Sequence, residues 1–415
     1  MVSSVASNEE PNAVPIYELG LNTVRAANNP RALVAELMEV ATDLIRHNHA
    51  DKAVPLLDEA IAVACQLEDH RLHGILLGNK GIALIHLDKI DDAVEAYQAA
   101  LAIAESIVNP NFHSDVLGHL GLALTKQGAP DQGISHLLRA LDIATNSGNQ
   151  RQQMIHMGNI GSMFLTIAAV EEACKYYQQA LVIARNLGDR QAEGGFLNNL
   201  GHVFSIMDMP QEVVGYLGDA LTIVSELKDR AGEKNALNRL VDAYLVLSNA
   251  DKAMECANAL LNLAREDAEI DLQSAVLNRL VIGLLSTEQP QIVLPYILQA
   301  LDIAHAQADG QHELNLLFNL GNIYYQLNQL DDALEIYAQA AVKANVLQQR
   351  KAEARLLGRL SAVYAERGLM QAALEYAHRA LKQAEEVEDH YTIGEQASLL
   401  ALTYRDLEQT NEMID

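Results

Sequence analysis

The chain's fourteen histidines and three cysteines are its strongest candidates for metal ligation or nucleophilic chemistry, and their spacing decides whether they can act. His47 and His49 form an H-x-H pair, while His70 and His73 stand three apart; either pattern suits a transition-metal ion. Both pairs fall at turns of the helical scheme derived below, one inside a unit and one between units. A helix of about 17 residues, roughly 25 Å long, separates those two edges, so the pairs do not share an ion. His156, His202 and His312 have no cysteine or carboxylate at a recognisable spacing. Cys65, Cys174 and Cys256 are far apart and read as buried helix-packing thiols of a reducing compartment. No phosphate-binding glycine loop and no G-x-S-x-G elbow occurs. The residues therefore point away from an enzyme and call for no cofactor and no metal.

The elements that carry these residues must be built without tryptophan and with few aromatics, from Leu, Ile, Val and much Ala. A chain of 415 residues would ordinarily divide into two or three globular domains, but a repeat array escapes that limit because each unit packs only on its neighbours. The formal charge of −26, from 55 acidic and 29 basic residues, repels polyanions and argues against a nucleic-acid partner. The opening MVSSVASNEEPN lacks a basic start and an apolar run, and no stretch approaches the roughly 20 apolar residues of a bilayer span. The expectation is a cytoplasmic protein with no direct membrane insertion.

Self-similarity appears at a period of 40 residues. A small-residue register runs through Ala41, Gly81, Gly121, Gly161, Gly201, Val241, Val281, Gly321, Ser361 and Ala401. A second runs through Ala53, Ala93, Gly133, Ala173, Val213, Ala253, Val293, Ala333 and Ala373, and a third through Ala60, Ala100, Ala140, Ala180, Ala220, Leu260, Ala300, Ala340 and Ala380. Large apolar residues flank the first register four before, as at Leu117 and Leu197, and three after, as at Leu124 and Phe204. Spacings of three, four and seven place them on one helical face. The small residue between them admits the partner helix.

Proline tests this scheme independently, because it is excluded from helix interiors. Pro30 and Pro110 share one offset in the period, and Pro130, Pro210 and Pro290 another; these mark the two turns of each unit. Pro55 and Pro295 share a third offset, expected in the first turn of the second helix. Acidic residues such as Asp51, Asp91, Asp131, Glu171, Glu212, Asp251 and Asp331 open the second helices, where N-capping and the helix dipole favour negative charge.

The order Leu200-Gly201, Phe204 and Ala220, or Leu320-Gly321, Tyr324, Ala333, Tyr337 and Ala340, resembles the tetratricopeptide repeat. The usual unit has about 34 residues. A 40-residue unit is similar to the subclass found in Leu-Gly-Asn-type scaffolds and kinesin light chains. The resemblance implies an all-α fold, a right-handed α-solenoid superhelix of helical hairpins. The expected layout is a disordered segment at 1–14, a short helix or cap at 15–30 with Ile16, Leu19 and Val24 aligned, nine units over 31–390, a capping helix at 391–408 and a tail at 409–415. Val241 and Val281 break the small-residue register, so wider helix packing or an altered pitch is expected there.

In this family the first helices line a concave groove that holds extended peptides or helices. Carried over by position, the resemblance places Asn198, Asn199, His202, Asn235, Asn238, Arg239, Asp242, Asn278, Arg279, Asn315, Asn319, Asn322, Tyr325, Gln326, Arg355 and Arg359 on that groove. Asparagine both donates and accepts, so a ladder of them can grip a peptide backbone, and arginine can pair with acidic side chains. The first four units offer Gly78, Gly118, Gly158, Ile82, Ile85, Leu122 and Leu165 instead, a more apolar half suited to a hydrophobic helix, the N-terminal segment or self-association into a homo-oligomer. The chaperone-tail clamp of some relatives needs a lysine where this chain has Gly78, Gly118, Gly158, Asn198, Asn238, Asn278, Phe318 and Gly358, and is not expected. The expected function is a scaffold or adaptor for peptide or helical segments of protein partners; the other reading is a regulatory sensor whose superhelix responds to a small ligand or signalling peptide.

Overall fold

The computed structural model describes residues 16–27, 29–285 and 289–412. The segment expected at 1–14 and the last residues of the 409–415 tail lie outside them, as do the side chains of Ile16 and Leu19. The chain divides into two compact units, Met1–Asp208 and Met209–Asp415. The first holds α1 (Ile16–Ala26), α2 (Pro30–Arg46), α3 (Ala50–Gln66), α4 (His70–His86), α5 (Ile90–Ser106), α6 (Pro110–Lys126), α7 (Pro130–Asn146), α8 (Gln150–Thr166), α9 (Val170–Leu187) and α10 (Arg190–Ile206). The second holds α11 (Pro210–Glu226), α12 (Arg230–Val246), α13 (Ala250–Glu266), α14 (Ile270–Leu285), α15 (Pro290–Ala306), α16 (Gly310–Gln326), α17 (Leu330–Val346), α18 (Arg350–Glu366), α19 (Met370–Glu386) and α20 (His390–Glu412). No strand occurs among the described residues.

Most helices are 17 residues long, and a three-residue turn completes a 20-residue half-period. Each turn needs one residue at positive φ to reverse the chain, and it recurs every 20 positions, for example at Asn48, Glu68, Asp88, Gly128, Gly148, Ala168 and Gly188. Residue 108 breaks the series. A β-branched valine stands there, the residue type that tolerates positive φ least, and the chain instead leaves α5 through an extended Ile107. Val108 is left fully exposed.

The helix starts show a register the apolar pattern conceals. Asn29, Asp69, Asn109, Asn149, Asp189, Asp229 and Asp309 each accept from the backbone N–H three residues on, capping the first helices at the 40-residue period. The acidic residues of the second helices do not cap: Asp51, Asp91, Asp131 and Glu171 lie inside the first turn, and the cap residues before them make no side-chain bond. At the helix start they act with the dipole, and Asp91 also accepts from Gln127 Nε2 at 2.8 Å. Pro55 and Pro295 also lie deeper than expected, at the sixth residue of α3 and α15, where each removes one intrahelical hydrogen bond.

The core follows the small-residue registers. Ala60, Ala100, Ala140, Ala180, Ala220, Leu260, Ala300, Ala340 and Ala380 are all buried. Sixteen residues after the first register comes its partner on the second helix, and the two exchange volume. A Cβ on Gly81, Gly161 or Gly321 would stand 2.6, 2.8 or 2.5 Å from the rings of Tyr97, Tyr177 and Tyr337. Where the register holds Val241, the partner position holds buried Ala257. That exchange balances the larger side chain in this unit; Val281, partnered by Ile297, has no such balance.

Of the thiols, Cys256 is buried and Cys174 half-buried, but Cys65 is exposed, so the expectation of buried packing thiols fails for it. Cys65 ends α3 at a turn, where the helix pair no longer covers its face.

Candidate protein-binding face

The substantial contacts between alternate helices run between first helices: α2 with α4, α4 with α6 and α6 with α8 in one unit, α12 with α14 and α18 with α20 in the other. The first helices therefore crowd one side of each unit. All sixteen groove residues expected from the resemblance lie on first helices, and each is exposed or half-buried. Asn198, Asn199 and His202 sit on α10 in the first unit; the other thirteen sit on α12, α14, α16 and α18 in the second.

Within the second unit several of them spend their polar atoms on one another. Arg279 Nη1 donates to Asp242 Oδ2 at 2.8 Å and Oδ1 at 3.0 Å, and Nη2 donates to Asn238 Oδ1. Asn278 pairs with His312 at 2.6 Å, and Asn322 Oδ1 accepts from the Tyr337 hydroxyl at 2.7 Å. Tyr325 donates to Glu366 at 3.4 Å. Arg355 Nε donates to Asp389 at 3.2 Å, and its guanidinium lies 6.0 Å from the Tyr391 ring centroid. Asn315 Oδ1 accepts from Gln311 at 3.5 Å, while Asn235 and Gln326 are exposed without such partners among the described residues.

One register is divided. Two positions before the small-residue site, Arg279 is taken up by Asp242 and Asn238, whereas Asn199, Arg239, Asn319 and Arg359 at the same register are half-buried and make no hydrogen bond or ion pair among the described residues. Burial lowers the Arg239 guanidinium pKa from its ordinary value, against the pull of Asp242. Arg355 and Arg359 line a groove of about 1060 Å³ between α16, α18 and α20, with Phe318 and Tyr391 among its walls. Ile282, one residue past the small site of α14, is exposed on the same face, an apolar side chain that a pattern of hydrogen-bonding groups does not mark.

In the first unit, two of the glycines expected to open the groove are filled. Gly118 and Gly158 are covered by the rings of His156 and Phe196 from the following first helix, so neither opens a groove floor. Asn79, Asp115 and His119 occupy groove registers there instead, around a pocket of about 380 Å³. The 40-residue period places those positions on the groove as it does the glycines and isoleucines beside them.

The structure also brings Ser114 and His156 together at 2.7 Å. The serine gives its only proton to the Ala140 carbonyl at 2.8 Å, so Nε2 of His156 is the donor in the pair. A histidine donating to a serine does not activate it, and both residues are buried. Burial pushes the imidazole down to about 4, with nearby His119 adding to the effect. His47 pairs with Asp43, and His73 lies 3.7 Å from Cys65 Sγ. Among the described residues no three His, Cys, Asp or Glu side chains are grouped to hold a metal, and no helix is long and apolar enough to cross a membrane.

Tandem helical hairpins with small residues at the crossings define the helical-solenoid class. Tetratricopeptide-repeat family models match residues 40–106, 157–191 and 316–346. Over these segments the chain carries tetratricopeptide repeats, and it is similar to proteins built from them. Among solved structures, the apo form of RapI is 13% identical with a TM-score of 0.57, covering 86% of this chain and 99% of its own. BtubC (BKLC) from P. vanneervenii is 18% identical with a TM-score of 0.49, over 53% of this chain and 92% of its own. The apo quorum sensor NprR from B. thuringiensis is 12% identical with a TM-score of 0.48, over 79% of this chain and 92% of its own. No curated protein sequence matches. At these identities the likeness speaks for the fold alone.

Proposed function

We propose that this chain is an adaptor that holds peptide or helical segments of partner proteins against its first-helix face in the assembly of a larger complex. The observation that carries the reading is that Arg239, Asn319 and Arg359 in the second unit, and Asn199 by itself in the first, are half-buried with no hydrogen bond or ion pair among the described residues. Half-burying an amide or guanidinium costs hydration, and that cost is returned only when a ligand or water supplies the missing partner. In the second unit, one amide and two guanidinium groups suit a peptide: the amide bridges its backbone and the cations meet its carboxylates. Arg279, a member of the same register closed off by Asp242, marks the contrast.

The test is affinity capture from the native source, comparing wild type with Asn199→Ala, Arg239→Ala, Asn319→Ala and Arg359→Ala combined. A partner held by wild type and lost by the equally helical variant supports the reading. Capture that survives all four substitutions refutes it.

A further inference from the structure

In the first unit, a glycine three residues before the small site is met by the side chain 38 residues later. Above Gly118 this is His156, whose Cε1 would stand 2.7 Å from an added Cβ; above Gly158 it is Phe196, at 2.8 Å. The same arithmetic brings Gly78 to Val116. Valine is too short to cover it, and nothing lies within 4 Å of where a Gly78 Cβ would be. The pocket of about 380 Å³ between α4 and α6 occupies this space, and Gly78 and Val116 both line it. It has the room of one planar ring that the repeat elsewhere supplies from its own chain.

The pocket's polar groups say what kind of ring fits. Asp115 is held in place by Gln152, a buried side chain that donates to Oδ1 at 2.6 Å and to the Asn111 carbonyl at 2.9 Å. The second carboxylate oxygen is left to accept from a ligand. One turn on, His119 lies flat against Tyr97, with centroids 5.7 Å apart and planes 8° from parallel, so one wall is aromatic. Arg71 stands on the same pocket and disfavours a cationic ring.

We propose that this pocket binds one neutral planar ring carrying an N–H donor, an indole above all, with the ring over Gly78 and the N–H on Asp115. The site shares none of the four residues that carry the adaptor reading, and either stands without the other.

The chain has no tryptophan, so indole emission from a probe is read without a competing signal of the same kind. N-acetyltryptophanamide is titrated with the full chain, following its blue shift and anisotropy. A saturable shift is expected, lost in Gly78→Leu and Val116→Phe, each of which fills the space. Asp115→Ala, or the 1-methylindole form of the probe, weakens binding by about tenfold, the loss expected for a hydrogen bond to a charged acceptor. A tryptophan-bearing peptide that binds tighter than the free amide assigns the ring to a partner's side chain; equal affinity assigns it to a free small molecule. The proposal is overturned by no saturable shift with wild type, by unchanged binding in both filling variants while they remain folded, or by indifference to both Asp115→Ala and N-methylation.

Discussion

The would-be Cβ of Gly321 falls 2.5 Å from Cε1 of Tyr337, a separation that real side chains do not reach. The two residues belong to the two helices of one hairpin, and the tyrosine is fully buried with its hydroxyl on Asn322. The absence of a side chain at one position therefore seats the largest side chain of the hairpin core. Gly321→Ala is expected to destabilise the fold by about 1–3 kcal/mol through overpacking, and adding Tyr337→Leu to recover much of that loss. Urea unfolding of the single and double variants measures both values.

Burial holds His156 neutral in the folded chain, at about 4, below the ordinary value of about 6.5 that it regains on unfolding. Below about 6.5 the unfolded chain takes the proton first, so stability falls as the pH drops from there to about 4 and levels off beneath. The full effect is on the order of 3 kcal/mol, and His156→Phe should flatten this part of the profile. Unfolding midpoints across that pH range decide the matter.

The register of capped helix starts is as legible as the glycine register, since Asn29, Asp69, Asn109 and Asp189 share one offset of the 40-residue period. Helix number, turn positions and core registers could be read because volume and φ impose them at each repeat. Arg279 meeting Asp242 could not: that pairing depends on the distance between neighbouring first helices, which no local pattern encodes. The pocket above Gly78 is likewise visible only once the 38-residue contact is known.

Removing a cap tests the first of these registers. Asp189→Ala leaves the Ala192 N–H without its acceptor and should cost about 1 kcal/mol, with Asp189→Asn nearly neutral. Thermal unfolding of both variants separates capping from charge.

The three thiols should differ in reactivity by exposure. Cys65 is open, while burial raises the Cys174 and Cys256 thiols and keeps more of each protonated at neutral pH. Iodoacetamide labelling followed by peptide mass spectrometry is expected to modify Cys65 first and Cys256 last.

The central claim is that partners bind the first-helix face. Photo-crosslinking residues placed singly at Asn199 and Asn319, and at Val182 and Val342 on the exposed surface of second helices, test it in the native cell extract. The account predicts a shared partner adduct from Asn199 or Asn319 and none from the two valine sites. Adducts from Val182 or Val342 alone would contradict it.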